Sequence, residues 1–165
     1  MTLKKSQELI MSRLKNKAHL IMLAAGLLNV AVLPFWQLPI TPVAARAVGY
    51  ALFGLGMVVL LLSLLALKGS IGGEIEPVTE LVTNGIYGRL RHPLYLSFAI
   101  CMLALDLLFA SILGILVTFV AFLPSMAWRA RLEEQALERR FGEAWRAYVR
   151  RVPSLLLWDF GRKRG

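Results

Sequence analysis

Three stretches of this chain run for twenty residues or more with almost no charge, and nothing else in the sequence limits the fold so tightly. They cover residues 18–38, 43–67 and 94–128. A helix crosses the hydrocarbon core of a bilayer with about 20 apolar residues. Of the whole chain, 58% is hydrophobic, which leaves too little polar surface to cover such an interior in water. Lipid offers no hydrogen bonds to a backbone, so segments of this kind fold as helices unless they close into a barrel. No strand-like alternation and no strand–helix alternation occurs. That excludes a Rossmann-type cofactor domain and predicts an all-α, multi-pass transmembrane helical bundle in one membrane domain, 1–165.

The three runs predict about four crossings. Residues 18–38 form the first, with Pro34 kinking its far end, and a short turn follows at 37–42. Residues 43–67 form the second. The third run is too long for one crossing, and Asp106 lies inside it. A lone carboxylate is costly at mid-membrane. A tight turn is therefore expected at 106–110, dividing 94–128 into a helical hairpin of residues 94–105 and 111–128. Residues 1–17 are basic and amphipathic and read as an interfacial helix. The first apolar run exceeds a signal-peptide core and reads as a retained span.

Charge orients the bundle. The chain has 19 Lys and Arg and a net charge of +9. Five of these cations precede the first span, three lie in the loop 68–93, and ten lie at or beyond Arg129. The opposite turns hold only Arg46. Such asymmetry marks the cytoplasmic side, so both termini and the loop are expected there. The same arrangement explains the basic balance without nucleic acid. Cys101, the one cysteine, reads as a small buried hydrophobe. Gly54 and Gly56, inside a span, read as positions of close helix packing. No metal-ligand spacing is present.

Polar chemistry concentrates in two clusters predicted on the same side. One is LVTNGIYGRLRHPLY at 81–95, within a loop of about 25 residues, long for so short a chain. The other spans 129–165, including Arg129, Glu133, Glu134, Trp145 and Tyr148. Pro93 suits the first position of a helix, where its missing N–H is no loss, which makes His92 the cap. Tyr95 then shares His92's face. Arg129 and Glu133, four apart, pair on one helix face, while Glu134 points about 100° away. Together the clusters offer cations for a carboxylate, glutamates for an ammonium or for ribose hydroxyls, and rings for a purine or a sulfonium. S-adenosylmethionine fits that set, as would other amphipathic ligands.

The pattern LVTNGIYGRLRHPLY followed by EEQALERRFGEAWRAYVRRVP resembles the family of isoprenylcysteine carboxyl methyltransferases and phospholipid methyltransferases, integral membrane enzymes. The resemblance covers residues 81–153. Ser97 stands where that family commonly has glycine, and Trp145 where tyrosine is usual. The resemblance implies a non-Rossmann S-adenosylmethionine site built from the loop and the C-terminal segment over the hairpin. Tyr87, His92, Tyr95, Glu134 and Tyr148 would bind the cofactor, and Arg91, Arg129 and Glu133 would be catalytic. The acceptor would be lipophilic and would enter from the bilayer; a prenylcysteine-type carboxylate is favoured over a phospholipid amine or a small thiol. Two other classes stand beside this one: an NADPH-dependent, sterol-type membrane reductase, and a non-catalytic lipid-binding membrane protein.

Overall fold

The computed structural model describes residues 3–38, 43–70 and 81–154, with side chains described from residue 10 onward except at 68–70. All regular structure among them is helical. Helix α1 covers Leu3–Val32 and α2 covers Val43–Ser70. A turn of 3-10 helix, Gly85–Gly88, leads to α3, Pro93–Leu108. Then α4, Ile112–Val117, passes through a π-helical turn at Thr118–Phe122 into α5, Leu123–Phe141. The short α6, Glu143–Arg151, follows Gly142.

Two of these helical stretches, Val43–Leu67 and Ile112–Phe141, are long and apolar enough to cross a membrane, and Pro93–Leu108 is a shorter apolar helix. Along Val43–Leu67 large side chains such as Val58, Leu61 and Leu65 are more than half exposed. Surface of that kind belongs against lipid tails. The chain is an integral membrane protein.

Small residues set the closest helix contact. α2 and α3 pack more extensively than any other pair. A Cβ at Gly56 would lie 2.6 Å from Cys101 Sγ, and one at Gly49 would lie 2.9 Å from Leu108 Cγ. These positions, seven apart, bring the two backbones together. Gly54 does no such thing, since nothing lies within 4 Å of its Cβ direction. Of the glycine pair singled out in the sequence, only Gly56 is a packing position. Cys101 is buried against it.

α1 runs on without a break from its basic start into its apolar part. It ends at Val32, so Pro34 follows the helix rather than kinking it. The residue before a proline is pushed out of the α region, which stops the helix at that point. Met22 and Ala25 of α1 join Tyr95, Ala99, Phe122, Met126 and Ala130 in one apolar cluster. The π turn directly precedes Pro124 at the start of α5. Proline has no N–H for the carbonyl four residues back, and a widened turn takes up that mismatch.

The hairpin turn comes slightly later than the cost of Asp106 suggested. α3 continues through Leu108, and the turn is Phe109–Ala110–Ser111. Asp106 stays inside the helix, fully buried. Hydrogen bonds remove the need to reach water: Asn29 Nδ2 lies 3.1 Å from Oδ1, and Thr118 Oγ1 donates to Oδ2 at 2.6 Å. Asn29 Nδ2 also reaches Thr118 Oγ1 at 2.7 Å and the Gly114 carbonyl at 2.9 Å. This network joins α1 to both arms of the hairpin. Beyond it two turns clip together through Leu38 N–H to Ala110 O at 3.0 Å and Ile112 N–H to Trp36 O at 3.3 Å. Trp36 and Ala110 both have positive φ, 51° and 49°. The turn proposed at 37–42 falls partly on residues 39–42, and the loop at 68–93 falls partly on residues 71–80. Both stretches lie outside the described residues, as does the tail beyond 154.

Candidate functional site

Pro93 occupies the first turn of α3 and His92 caps it, with the His92 carbonyl accepting from Leu96 N–H at 3.1 Å. The cap fixes where three side chains point. Arg91 precedes it and turns inward, its side chain only 1% exposed. Its Nη1 donates to Glu134 Oε1 at 2.7 Å, and His92 Nε2 lies 3.0 Å from the same oxygen. Ionised Glu134 accepts from arginine, so the shared contact calls for the tautomer with a proton on Nε2. Tyr95, one turn on, sets its ring 5.6 Å from that of His92. Its hydroxyl donates to Glu133 Oε2 at 2.7 Å.

Adjacent glutamates on α5 thus serve different partners, as a helix turning about 100° per residue requires. Glu134 is held by Arg91 and His92. Glu133 is held by Tyr95, and Arg129 Nη1 stands 3.7 Å from Glu133 Oε2 across one helical turn. Arg129 Nε and Nη1 are buried and make no hydrogen bond within the described residues.

Gly142, at φ 52°, breaks the helix between α5 and α6. A side chain is strained at that φ, so glycine is the natural residue for the break. It lets α6 fold back so that Trp145, Tyr148 and Val152 are buried against Leu81, Leu137, Phe141 and Val149. The Tyr148 hydroxyl donates to Tyr87 O at 2.7 Å, which pins the 3-10 turn. Beyond α6, the Pro153 carbonyl accepts from Arg91 N–H at 3.3 Å. Loop and C-terminal segment are therefore tied together twice, within α6 and just beyond its end.

These elements enclose a cavity of about 190 Å³. Its polar and aromatic walls are Tyr87, Arg91, His92, Tyr95, Glu133, Trp145 and Tyr148, and its apolar walls are Leu67, Leu81, Val82, Leu94 and Leu137. Burial, with the Glu133 charge adding to it, pushes the Tyr87 phenol up to about 12. Burial likewise pushes Tyr148 up to about 12, against the opposing pull of Arg91. Both are neutral hydrogen-bond donors near neutral pH.

Of the eight residues singled out in the sequence, Tyr87, Arg91, His92, Tyr95, Glu133 and Tyr148 line this one cavity. Glu134 stands behind it on Arg91 and His92, and Arg129 beside it on Glu133. Trp145, noted only as a ring, is a wall. The apolar walls carried no signal beyond their hydrophobicity. The Pro153 contact carried none, because a backbone carbonyl leaves no trace in residue type. A ring-lined cavity with one carboxylate in its wall suits a ligand that combines a flat heterocycle with a positive charge.

The family model for phospholipid methyltransferases matches residues 44–144. That segment holds α2, the loop, α3 to α5 and the first residues of α6. Among curated proteins the chain is similar to the protein-S-isoprenylcysteine O-methyltransferase of Schizosaccharomyces pombe, with 34% identity over 74 residues. The aligned part is 45% of this chain and 31% of that protein, so the chain spans under a third of the relative's length. No solved structure matches.

Proposed function

The chain belongs to the phospholipid methyltransferase family, and on that premise we propose that it is a methyltransferase using S-adenosylmethionine on a lipophilic acceptor in the membrane. One observation carries the reading. The two polar clusters, separated in sequence by the helical hairpin, line a single ring-walled cavity next to apolar helices. A prenylcysteine-type carboxylate is the favoured acceptor, in keeping with the name of the Schizosaccharomyces pombe relative. A phospholipid amine or a small thiol is the alternative.

The cavity fits the cofactor by the chemistry of its walls. Tyr87, Tyr95, Trp145 and Tyr148 offer ring faces to adenine and to a cation. Glu133 offers a carboxylate to an ammonium or to ribose hydroxyls, and Tyr95 holds that carboxylate in place. When bound, S-adenosylmethionine supplies a methyl group on a positively charged sulfur, open to in-line attack. The chain's own residues align the partners and exclude water. Arg91 and His92 act through Glu134, fixing α5 against the start of α3, and so serve as positioning residues. Arg129, whose Nε and Nη1 make no hydrogen bond among the described residues, is suited to an anionic acceptor. Such an acceptor needs no strong base, whereas an amine must first lose a proton.

We place the site on the cytoplasmic side with four crossings and both termini inside, on the strength of the Lys and Arg distribution. The acceptor then reaches the cavity from the bilayer past Leu67, Leu81 and Leu94. The test is transfer of radiolabelled methyl from S-adenosylmethionine by the purified protein. A membrane lipid extract and a prenylcysteine analogue serve as acceptors. Label in the prenylcysteine analogue is the expected result. Saturable NADPH binding without S-adenosylmethionine binding, and label in neither acceptor, would overturn the reading.

A further inference from the structure

The two ring nitrogens of His92 have different surroundings. Nε2 lies 3.0 Å from Glu134 Oε1, an oxygen that also accepts from Arg91. An ionised carboxylate only accepts, so the imidazole proton sits on Nε2 and Nδ1 is a bare lone pair. Nδ1 takes no capping hydrogen bond from the first turn of α3. It has no other partner among the described residues, yet it does not belong with the buried nitrogens that lack one. The atom therefore keeps accessible surface. His92 is buried and lines the cavity, so that surface opens into it.

Among the described polar groups on the cavity walls, this nitrogen is the one suited to take a proton near neutral pH. Arg91, before α3, has no lone pair to give, and the Trp145 indole on α6 only donates. Burial pushes the phenols of Tyr87, in the 3-10 turn, and Tyr148, on α6, up to about 12, so both stay protonated. On α5, Glu133 Oε2 accepts from the Tyr95 hydroxyl of α3 at 2.7 Å, and Arg129 Nη1 stands 3.7 Å from the same oxygen. A carboxylate so held is a weak base. An imidazole steadied by a carboxylate at its far nitrogen is the usual arrangement of a general base.

We propose that His92 Nδ1 takes the proton of an acceptor that enters the cavity as a thiol on an apolar chain, with Glu134 positioning the imidazole from behind. The proposal rests on the methyl-transfer reading and gives His92 a second role beside its contact with Glu134. A carboxylate acceptor leaves this base without a task, whereas a thiol needs it. An uncharged thiol also suits the walls at Leu67, Leu81 and Leu94, where an ammonium would carry its charge at a desolvation cost. In the step, the S–H bond breaks and its proton passes to Nδ1. The electron pair of that sulfur forms the bond to the methyl carbon. The bond from this carbon to the sulfonium sulfur breaks, and its pair stays on that sulfur. Positive charge thus moves from the sulfonium to an imidazolium held by Glu134.

The test gives the full chain, in a neutral glycoside detergent, two acceptors: dodecanethiol and a prenylcysteine with a free carboxylate. Both should gain label from methyl-labelled S-adenosylmethionine. His92→Gln keeps an amide that can donate to Glu134 and removes the base. Any loss of positioning falls on both acceptors, so the ratio of thiol to carboxylate rates isolates the proton transfer. That ratio should fall about a hundredfold, the low end for general-base catalysis. In His92→Ala, added imidazole should restore thiol transfer, and pyrazole, of the same shape but far less basic, should not. A second readout needs no methyl donor. The chain has two histidines, so nitrogen-15 spectra of the labelled imidazoles identify His92 by its absence from His92→Gln. In alkaline buffer His92 should show the Nε2–H tautomer, and dodecanethiol should shift Nδ1 where dodecane does not. An unchanged rate ratio in His92→Gln, or the proton on Nδ1, overturns the base. Label in the carboxylate alone overturns the thiol. S-adenosylmethionine binding is measured separately: its absence would sink the methyl-transfer reading while the tautomer and the thiol-induced shift still stood.

Discussion

Arg91 shows what a single residue contributes here. Its guanidinium is almost wholly removed from solvent and bonded to Glu134. Removing one partner of a buried ion pair is destabilising, by up to about 3–5 kcal/mol. Glu134→Ala should therefore lower the melting temperature sharply, and Arg91→Met/Glu134→Met should recover most of the loss. Equal melting of Glu134→Ala and wild type would rule out a pair that holds α5 to α3. The tyrosines respond to pH instead. Below pH 10 Tyr87 and Tyr148 are protonated whether the chain is folded or not. Between about 10 and 12 they ionise only in the unfolded chain, because burial holds the folded phenols at about 12. Stability should fall as pH rises through that window. Melting curves from pH 8 to 11.5 test the sign, and Tyr87→Phe should flatten the fall.

At the scale of elements, residue type predicted helices well and contacts unevenly. The start at Pro93 follows from proline chemistry and the apolar runs state their own helicity, whereas Pro34, expected to kink the first helix, instead follows its end. Two glycines of the same run have opposite surroundings, and only packing separates them. Gly56→Ala should destabilise by about 1–3 kcal/mol through its clash with Cys101, a cost typical of overpacking. Cys101→Ala should relieve part of it in the double variant. Gly54→Ala, with open space around it, should be neutral or stabilising by up to about 1 kcal/mol. Guanidinium or thermal melts of the four variants decide the matter. If both alanines behave alike, the α2–α3 contact is not as close as described.

At the scale of the molecule, two devices join segments far apart in sequence. At one end Asn29, Asp106 and Thr118 tie α1 to the hairpin. Hydrogen bonds between membrane helices contribute about 0.6 kcal/mol on average and up to about 1.7. Asn29→Leu should lower the melting temperature modestly and leave S-adenosylmethionine affinity within about twofold, since the network stands apart from the cavity. At the other end α6 closes the cavity. A chain ending after Phe141 should keep its helical circular dichroism and lose S-adenosylmethionine binding, because Trp145 and Tyr148 go with the deleted segment. Retained binding would mean that the cavity is not the cofactor site.

Sequence alone determined the helical class, the hairpin and the identity of the polar clusters. Those follow from hydrophobic length, proline geometry and charge sign, which are local properties of the chain. It also ordered His92, Tyr95, Glu133 and Glu134 by helical spacing. Which glutamate meets which partner was beyond its reach, because that depends on how α3 and α5 sit side by side. Asp106 is the plainest case. Read alone, its charge called for a turn that would reach water, yet Asn29 and Thr118 arrive from other segments and let it stay buried. Lys15 is the converse: a basic residue in a basic stretch, ordinary until the fold half-buries it in line with Ala18 and Met22 on a helix packed against α5. Long-range contacts decided both, and one-dimensional spacing does not encode them.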